Sequence, residues 1–161
     1  MATFSDYSVG FRMHHPSADP AGVAGGLEWR PMWSWMAGQP RRDGAGRPLP
    51  GNHRDSYCTI GLKSARPVSL PALLDRVLAH LEGRRALVRS LTETGGRLQL
   101  WIALYVVTPA GDELDASLLE RCAALGVGLA LSVSPFQRPA HDKGEPPNVV
   151  KAVRSRRRPK T

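Results

Sequence analysis

The chain has 161 residues, 42% hydrophobic, 22% charged and 6% aromatic. At ~100–200 residues per domain this is one domain plus tails, and the composition excludes collagen-like, fibrous and wholly disordered chains. The formal charge is +8, but residues 151–161 hold Lys151, Arg154, Arg156, Arg157, Arg158 and Lys160 with no acid, so the remaining 16 basic residues face 14 acids, a net +2. The basicity belongs to a tail, and the body is nearly neutral.

Tyr7, Val9, Phe11 and Met13 alternate with Ser8, Gly10, Arg12 and His14, which predicts a strand near 6–14 with one apolar face. Ser17-Ala18-Asp19-Pro20 is a helix start, and Val23 with Leu27 gives a short stripe that Gly22, Gly25 and Gly26 weaken. Residues 38–55 contain four glycines (38, 44, 46, 51) and three prolines (40, 48, 50), the signature of a long surface loop. A second strand is expected near 56–64, with Cys58, Ile60 and Leu62 on one face and Tyr57 and Thr59 on the other.

Ser69 opens the strongest helical pattern, with Leu70, Leu73, Leu74, Val77, Leu78 and Leu81 in one stripe over 70–82 and Gly83 as the stop. Leu87, Val88 and Leu91 suggest another short helix before Gly95-Gly96. Residues 97–108 form an extended run, apolar on both faces from Trp101 onward, which predicts a central strand. Asp115 caps a last helix bearing Leu118, Leu119, Cys122 and Leu125, and Gly126 ends it before a fourth strand at 127–134. From Gln137 the periodicity is lost and four prolines follow, so residues 1–136 read as a single α+β domain and 137–161 as an extended or disordered basic tail. The order β-α-β-α-β-α-β predicts a two-layer sandwich, a four-stranded, mostly antiparallel sheet with helices mainly on one face; a fully wound parallel sheet is the alternative.

The succession Asp19, Pro20, Leu27, Pro31, Trp33 or Trp35, Gly38 and Pro40, followed by Leu49-Pro50-Gly51, Ser56-Tyr57, the leucine-rich helix and the helix within Leu114–Gly126, resembles a bacterial group, domain-of-unknown-function family 4279. The resemblance spans roughly residues 6–135 and departs from the group in the glycine-rich first helix and the basic extension. It implies the architecture and carries no activity.

No GxSxG turn or cysteine-protease context accompanies the nucleophilic residues, and Cys58 and Cys122 lie in apolar periodic segments without CxxC spacing, so buried thiols in a reducing cytoplasm are expected. His14, His15 and His53 are the sole candidate metal group, but adjacent strand residues point to opposite faces, so no metal site is predicted. The glycines at 22, 25 and 26 precede no phosphate-cradling Lys-Ser/Thr, and neither cofactor nor enzymatic activity is expected. The longest apolar-rich run, Leu98–Val107, is too short to span a bilayer, and the N-terminus lacks a basic region followed by an apolar one, so a soluble, non-exported chain is expected.

The most distinctive cluster is Trp29, Trp33 and Trp35 with Met32 and Met36, beside Arg41, Arg42, Arg47 and Arg54. Core packing at a sheet edge is the simpler reading of the tryptophans, and a solvated loop that of the arginines. The functional one is a partner-binding patch, since Trp, Met and Arg are enriched at interfaces. Two functions follow: a non-enzymatic protein-binding module, immunity-like or regulatory, or an accessory nucleic-acid binder acting through its tail. For the second, six tail cations release counterions from about six phosphates, giving a log K against log salt slope no steeper than roughly −5 on duplex DNA. Truncation after Val150 is expected to abolish retention on DNA and RNA at low salt; retained affinity would move the site into the body.

Overall fold

The computed structural model describes residues 6–106, 110–135 and 148–149. In chain order the elements are β1 (Tyr7–His15), α1 (Pro20–Gly26), β2 (Trp33–Trp35), β3 (Pro40–Arg42), β4 (Pro48–Asn52), β5 (Ser56–Lys63), α2 (Leu70–Glu82), α3 (Arg85–Glu93), β6 (Arg97–Tyr105), α4 (Ala116–Ala124), β7 (Val127–Ser134) and β8 (Asn148–Val149). The starts of α1, α2 and α4 are those the sequence marks. The Asp19 carboxylate accepts from the N–H groups of Ala21 and Gly22, Ser69 Oγ from Ala72, and the Asp115 carboxylate from Leu118, each meeting donors that the first helical turn leaves unpaired.

The main sheet runs β2-β5-β1-β6-β7, with β8 also on β5, and β3 pairs with β4 in a separate hairpin. The α+β class is as expected; the four-stranded, mostly antiparallel sheet is corrected to a mixed one. β1 is antiparallel to both β5 and β6, and β2 is antiparallel to β5, whereas β6–β7 and β5–β8 are parallel. The β6–β7 pair is parallel because α4 lies between the two strands in sequence, a crossover that returns the chain to the same end of the sheet. β2 escapes sequence analysis because three residues show no resolvable period.

Two further expectations change. Residues 38–55 are not one irregular loop but an arm built on the β3–β4 hairpin, closed where the Asp43 carboxylate accepts from the backbone N–H groups of Ala45 and Arg47 and from Arg47 Nε. The run at 97–108 is not the central strand: β6 ends at Tyr105 and lies second from the edge, while β1 holds the centre. Residues 107–109 lie outside the described residues, as does the tail apart from the backbone of Asn148–Val149.

All four helices contribute to one core against one sheet face. Val9, Phe11 and Met13 of β1 meet Cys58, Ile60 and Leu62 of β5, Leu98, Leu100, Ile102 and Leu104 of β6, and the apolar stripe of α2. α4 is tied to α2 by Arg121, whose guanidinium bonds both oxygens of Glu82 and also Asp75. Among the described residues β7 is covered at its start: Val127 is buried and Leu129 partly so, but Leu131 and Val133 on the same face are 61% and 67% exposed. No helix among the described residues is long and apolar enough to cross a membrane. Leu78 has no exposed surface, so Leu78→Ala is expected to cost ~2–5 kcal/mol as transfer and cavity terms add; an unchanged urea midpoint would contradict the packing of α2.

Candidate functional site

Strand alternation sends every second residue to the face away from the helices. On β1 these are Ser8, Gly10, Arg12 and His14, on β5 Tyr57, Thr59, Gly61 and Lys63, and on β6 Arg97, Gln99, Trp101, Ala103 and Tyr105. β7 and β2 add Gly128, Ala130, Ser132 and Ser134, and Trp33 and Trp35. None of these positions is acidic, and three carry fixed cations.

Cross-strand register orders this face into rows. In the first, Trp35, Tyr57, His14 and Arg97 are successive neighbours. Their rings stack: His53 from the arm on Trp35 at 4.6 Å, Trp35 on Tyr57 at 4.3 Å, and Tyr57 against His14 at 4.8 Å. His14 Nδ1 reaches Asp55 at 3.0 Å. In the second row Trp33, Thr59, Arg12, Gln99 and Gly128 are neighbours. The Arg12 guanidinium lies over the Trp101 ring, 4.2 Å from its centre, a contact worth ~0.5–2 kcal/mol depending on desolvation. At the edge, the Met32 sulfur occupies the space a Cβ on Gly61 would take, 2.7 Å away.

The tryptophans predicted as one patch divide. Trp29 is 5% exposed and belongs to the core, tilted against Phe11 and stacked on His80 at 4.6 Å; it is withdrawn from any partner surface because α1 turns it inward toward α2. Trp33 is 61% exposed, with Met32 beside it at 57%, and Trp35 is half-buried in its stack. Arg41, Arg42, Arg47 and Arg54 are all exposed on the arm or at its base. Arg42 donates to the Gly46 carbonyl and Arg47 pairs with Asp43. Thus of the two acids of this region Asp43 is in an ion pair with Arg47, and Asp55 is hydrogen-bonded to His14. Lys151, Arg154, Arg156, Arg157, Arg158 and Lys160 lie outside the described residues.

The histidines do not converge. His14 is on the open face, while His15 is buried, its Nδ1 accepting from the N–H groups of Ser17 and Ala18 and its Nε2–H donating to Thr94 Oγ1. His53 is committed to Trp35. Cys58 and Cys122 are buried, and burial pushes the Cys58 thiol up to about 11, far from a reactive thiolate. Arg12 and Gln99 were not singled out from sequence; the period-two pattern around Phe11 was the available signal, and only register brings them together.

The strap from α1 to β2 is fixed from below. His80 Nε2–H donates to the Leu27 carbonyl at 2.7 Å, and Arg84 reaches His80 Nδ1 on one side and Glu28 on the other. Glu28 holds a φ of 56°, the left-handed region that costs a non-glycine residue ~1–2 kcal/mol, retained because Leu27 and Trp29 on either side are both buried.

Compared with known protein families, curated proteins and solved structures, the chain matches none.

Burial, opposed by the hydrogen bond to Leu27, holds His80 below its usual value of 6.5. The unfolded chain therefore binds the proton more readily, so stability is expected to fall as pH drops through about 6.5 toward the lower folded value. His80→Gln removes that titration, and its stability is expected to vary less over the same range in urea melts; an equal slope would assign the dependence to another group.

Proposed function

We propose that the chain is a non-enzymatic protein-binding module that docks an acidic partner on the β2 edge and the β3–β4 arm. The observation that carries this reading is Trp33, 61% exposed with Met32 at its side, set beside a sheet face with no acid at its strand positions and four exposed arginines. Exposed large apolar side chains ringed by cations are the composition of an interface hot spot, where a few aromatic and arginine residues supply most of the affinity. Asp43 is taken up by Arg47, which leaves Arg41, Arg42 and Arg54 as the cations of this rim, and the Asp55 carboxylate is hydrogen-bonded to His14 Nδ1.

Protein is favoured over single-stranded nucleic acid by the state of the rings. Base-stacking platforms need unoccupied aromatic faces. Here Trp35 and Tyr57 are stacked within the row and Trp101 is covered by Arg12, which leaves Trp33 as the tryptophan of this face with no ring or cation contact among the described residues. The resemblance to family 4279 supports the architecture only. The setting proposed is a reducing cytoplasm, in which Cys58 and Cys122 persist as thiols.

Tagged full-length chain, used to capture proteins from its native cell after nuclease treatment, is expected to retain an acidic protein that salt elutes. Trp33→Ala should weaken that complex by roughly 2 kcal/mol, about thirtyfold in Kd, and Arg41→Glu with Arg54→Glu should weaken it further, both at unchanged Tm. A partner indifferent to these substitutions, or one lost on nuclease treatment, contradicts the reading.

A further inference from the structure

We infer that Arg12, at the centre of the open sheet face, is the carboxylate receptor for an acidic segment of the partner; this rests on the reading above and extends its surface inward from the β2 edge. Three observations converge on it. Arg12 lies in the middle of the central strand, with Thr59 and Gln99 directly across on β5 and β6. Its guanidinium carbon lies 4.2 Å over the centre of the Trp101 ring, and a cation–π contact takes none of the guanidinium's N–H donors, which stay available to an acceptor. And it has no ion-pair partner among the described residues, its Nε–H being sealed from solvent without a hydrogen bond.

Charge complementarity selects the occupant. No strand position on this face is acidic, and the exposed Arg97 adds to the same field. A carboxylate meets the guanidinium fork with two parallel hydrogen bonds, roughly twice as strong as neutral ones. The Thr59 hydroxyl and the Gln99 amide offer a donor on each side of it. From there the second row leads across Thr59 to Trp33, so one extended segment with an acidic residue followed by an apolar one reaches both the receptor and the exposed indole.

The test is site-resolved, because the basic tail also attracts polyanions. Full-length ¹⁵N-labelled protein is titrated with an oligoglutamate peptide ending in leucine, and separately with an oligouridylate of equal charge, while the Arg12 Nε–Hε and the Trp33 and Trp101 indole resonances are followed. The peptide is expected to shift Arg12, Trp101 and Trp33 together. Arg12→Gln is expected to weaken the Trp33 response about tenfold in apparent Kd, and Arg12→Lys to recover only part of it, since an ammonium keeps the charge but not the fork; Tm reports separately on folding. A shift of Trp33 with Arg12 unmoved overturns the receptor while leaving the docking edge standing. No response of either to the peptide overturns the receptor, and the capture experiment then decides the docking edge by itself. A stronger Arg12 response to the oligouridylate overturns the assignment in favour of RNA.

Discussion

β1 is hydrogen-bonded along both edges, and it is this pairing that gives the molecule two unlike sides. A strand fixed on both flanks cannot rotate its side chains, so Val9, Phe11 and Met13 are committed to one face and Gly10, Arg12 and His14 to the other. A register slip of one residue would bury Arg12 among leucines and turn Phe11 outward. The cost of burying an unpaired guanidinium exceeds anything the displaced apolar contacts could offset. The helical layer and the polar face are therefore consequences of one alternation, and the positions of α1 to α4 follow from where the apolar half points.

The second constraint is how a weak helix holds its place. α1 has seven residues, three of them glycine, and an isolated helix of that length is not stable in water. It persists because Asp19 caps it, because His15 grips the turn before it through the N–H groups of Ser17 and Ala18, and because Leu27 and Trp29 anchor its exit into the core. Glu28 absorbs the resulting change of direction in a left-handed conformation. The outcome is that β2, three residues long, is delivered to the edge of β5 with Trp33 outward, although nothing in its own sequence would hold a strand there.

What was legible in the chain is what local chemistry decides. Asp19, Ser69 and Asp115 announce helices because a short side-chain acceptor followed by an apolar stripe has few other uses, and all three caps are present. The alternation in β1, β5 and β7 was readable for the same reason. The failures lie where sequence separation intervenes. From Trp101 onward residues 97–108 are apolar on both faces, which suggests cover on both; on the face away from the helices Trp101 instead has the Arg12 guanidinium of the neighbouring strand over its ring. Trp29, Trp33 and Trp35 look alike in a string of letters, yet the turn at Glu28 sends the first into the core and the pairing of β2 with β5 sends the other two to the opposite face.

The same separation explains why the receptor proposed at Arg12 could not be seen in advance. A lone arginine in an amphipathic strand is ordinarily a solvated residue, and its meaning changes only when the three strands around it are known to place a ring beneath it, Thr59 and Gln99 across from it, and no acid at the strand positions of that face. The molecule's acids instead serve the helical layer and the arm: Asp75 and Glu82 bind Arg121, Glu28 binds Arg84, and Asp43 binds Arg47. Each such pair is worth little where it is exposed, but together they hold most of these anions away from the strand positions around Arg12, with Asp55 at the margin on His14. In a nearly neutral body it is this partitioning of charge between the two faces, more than the net charge, on which the acidic partner proposed for this sheet rests.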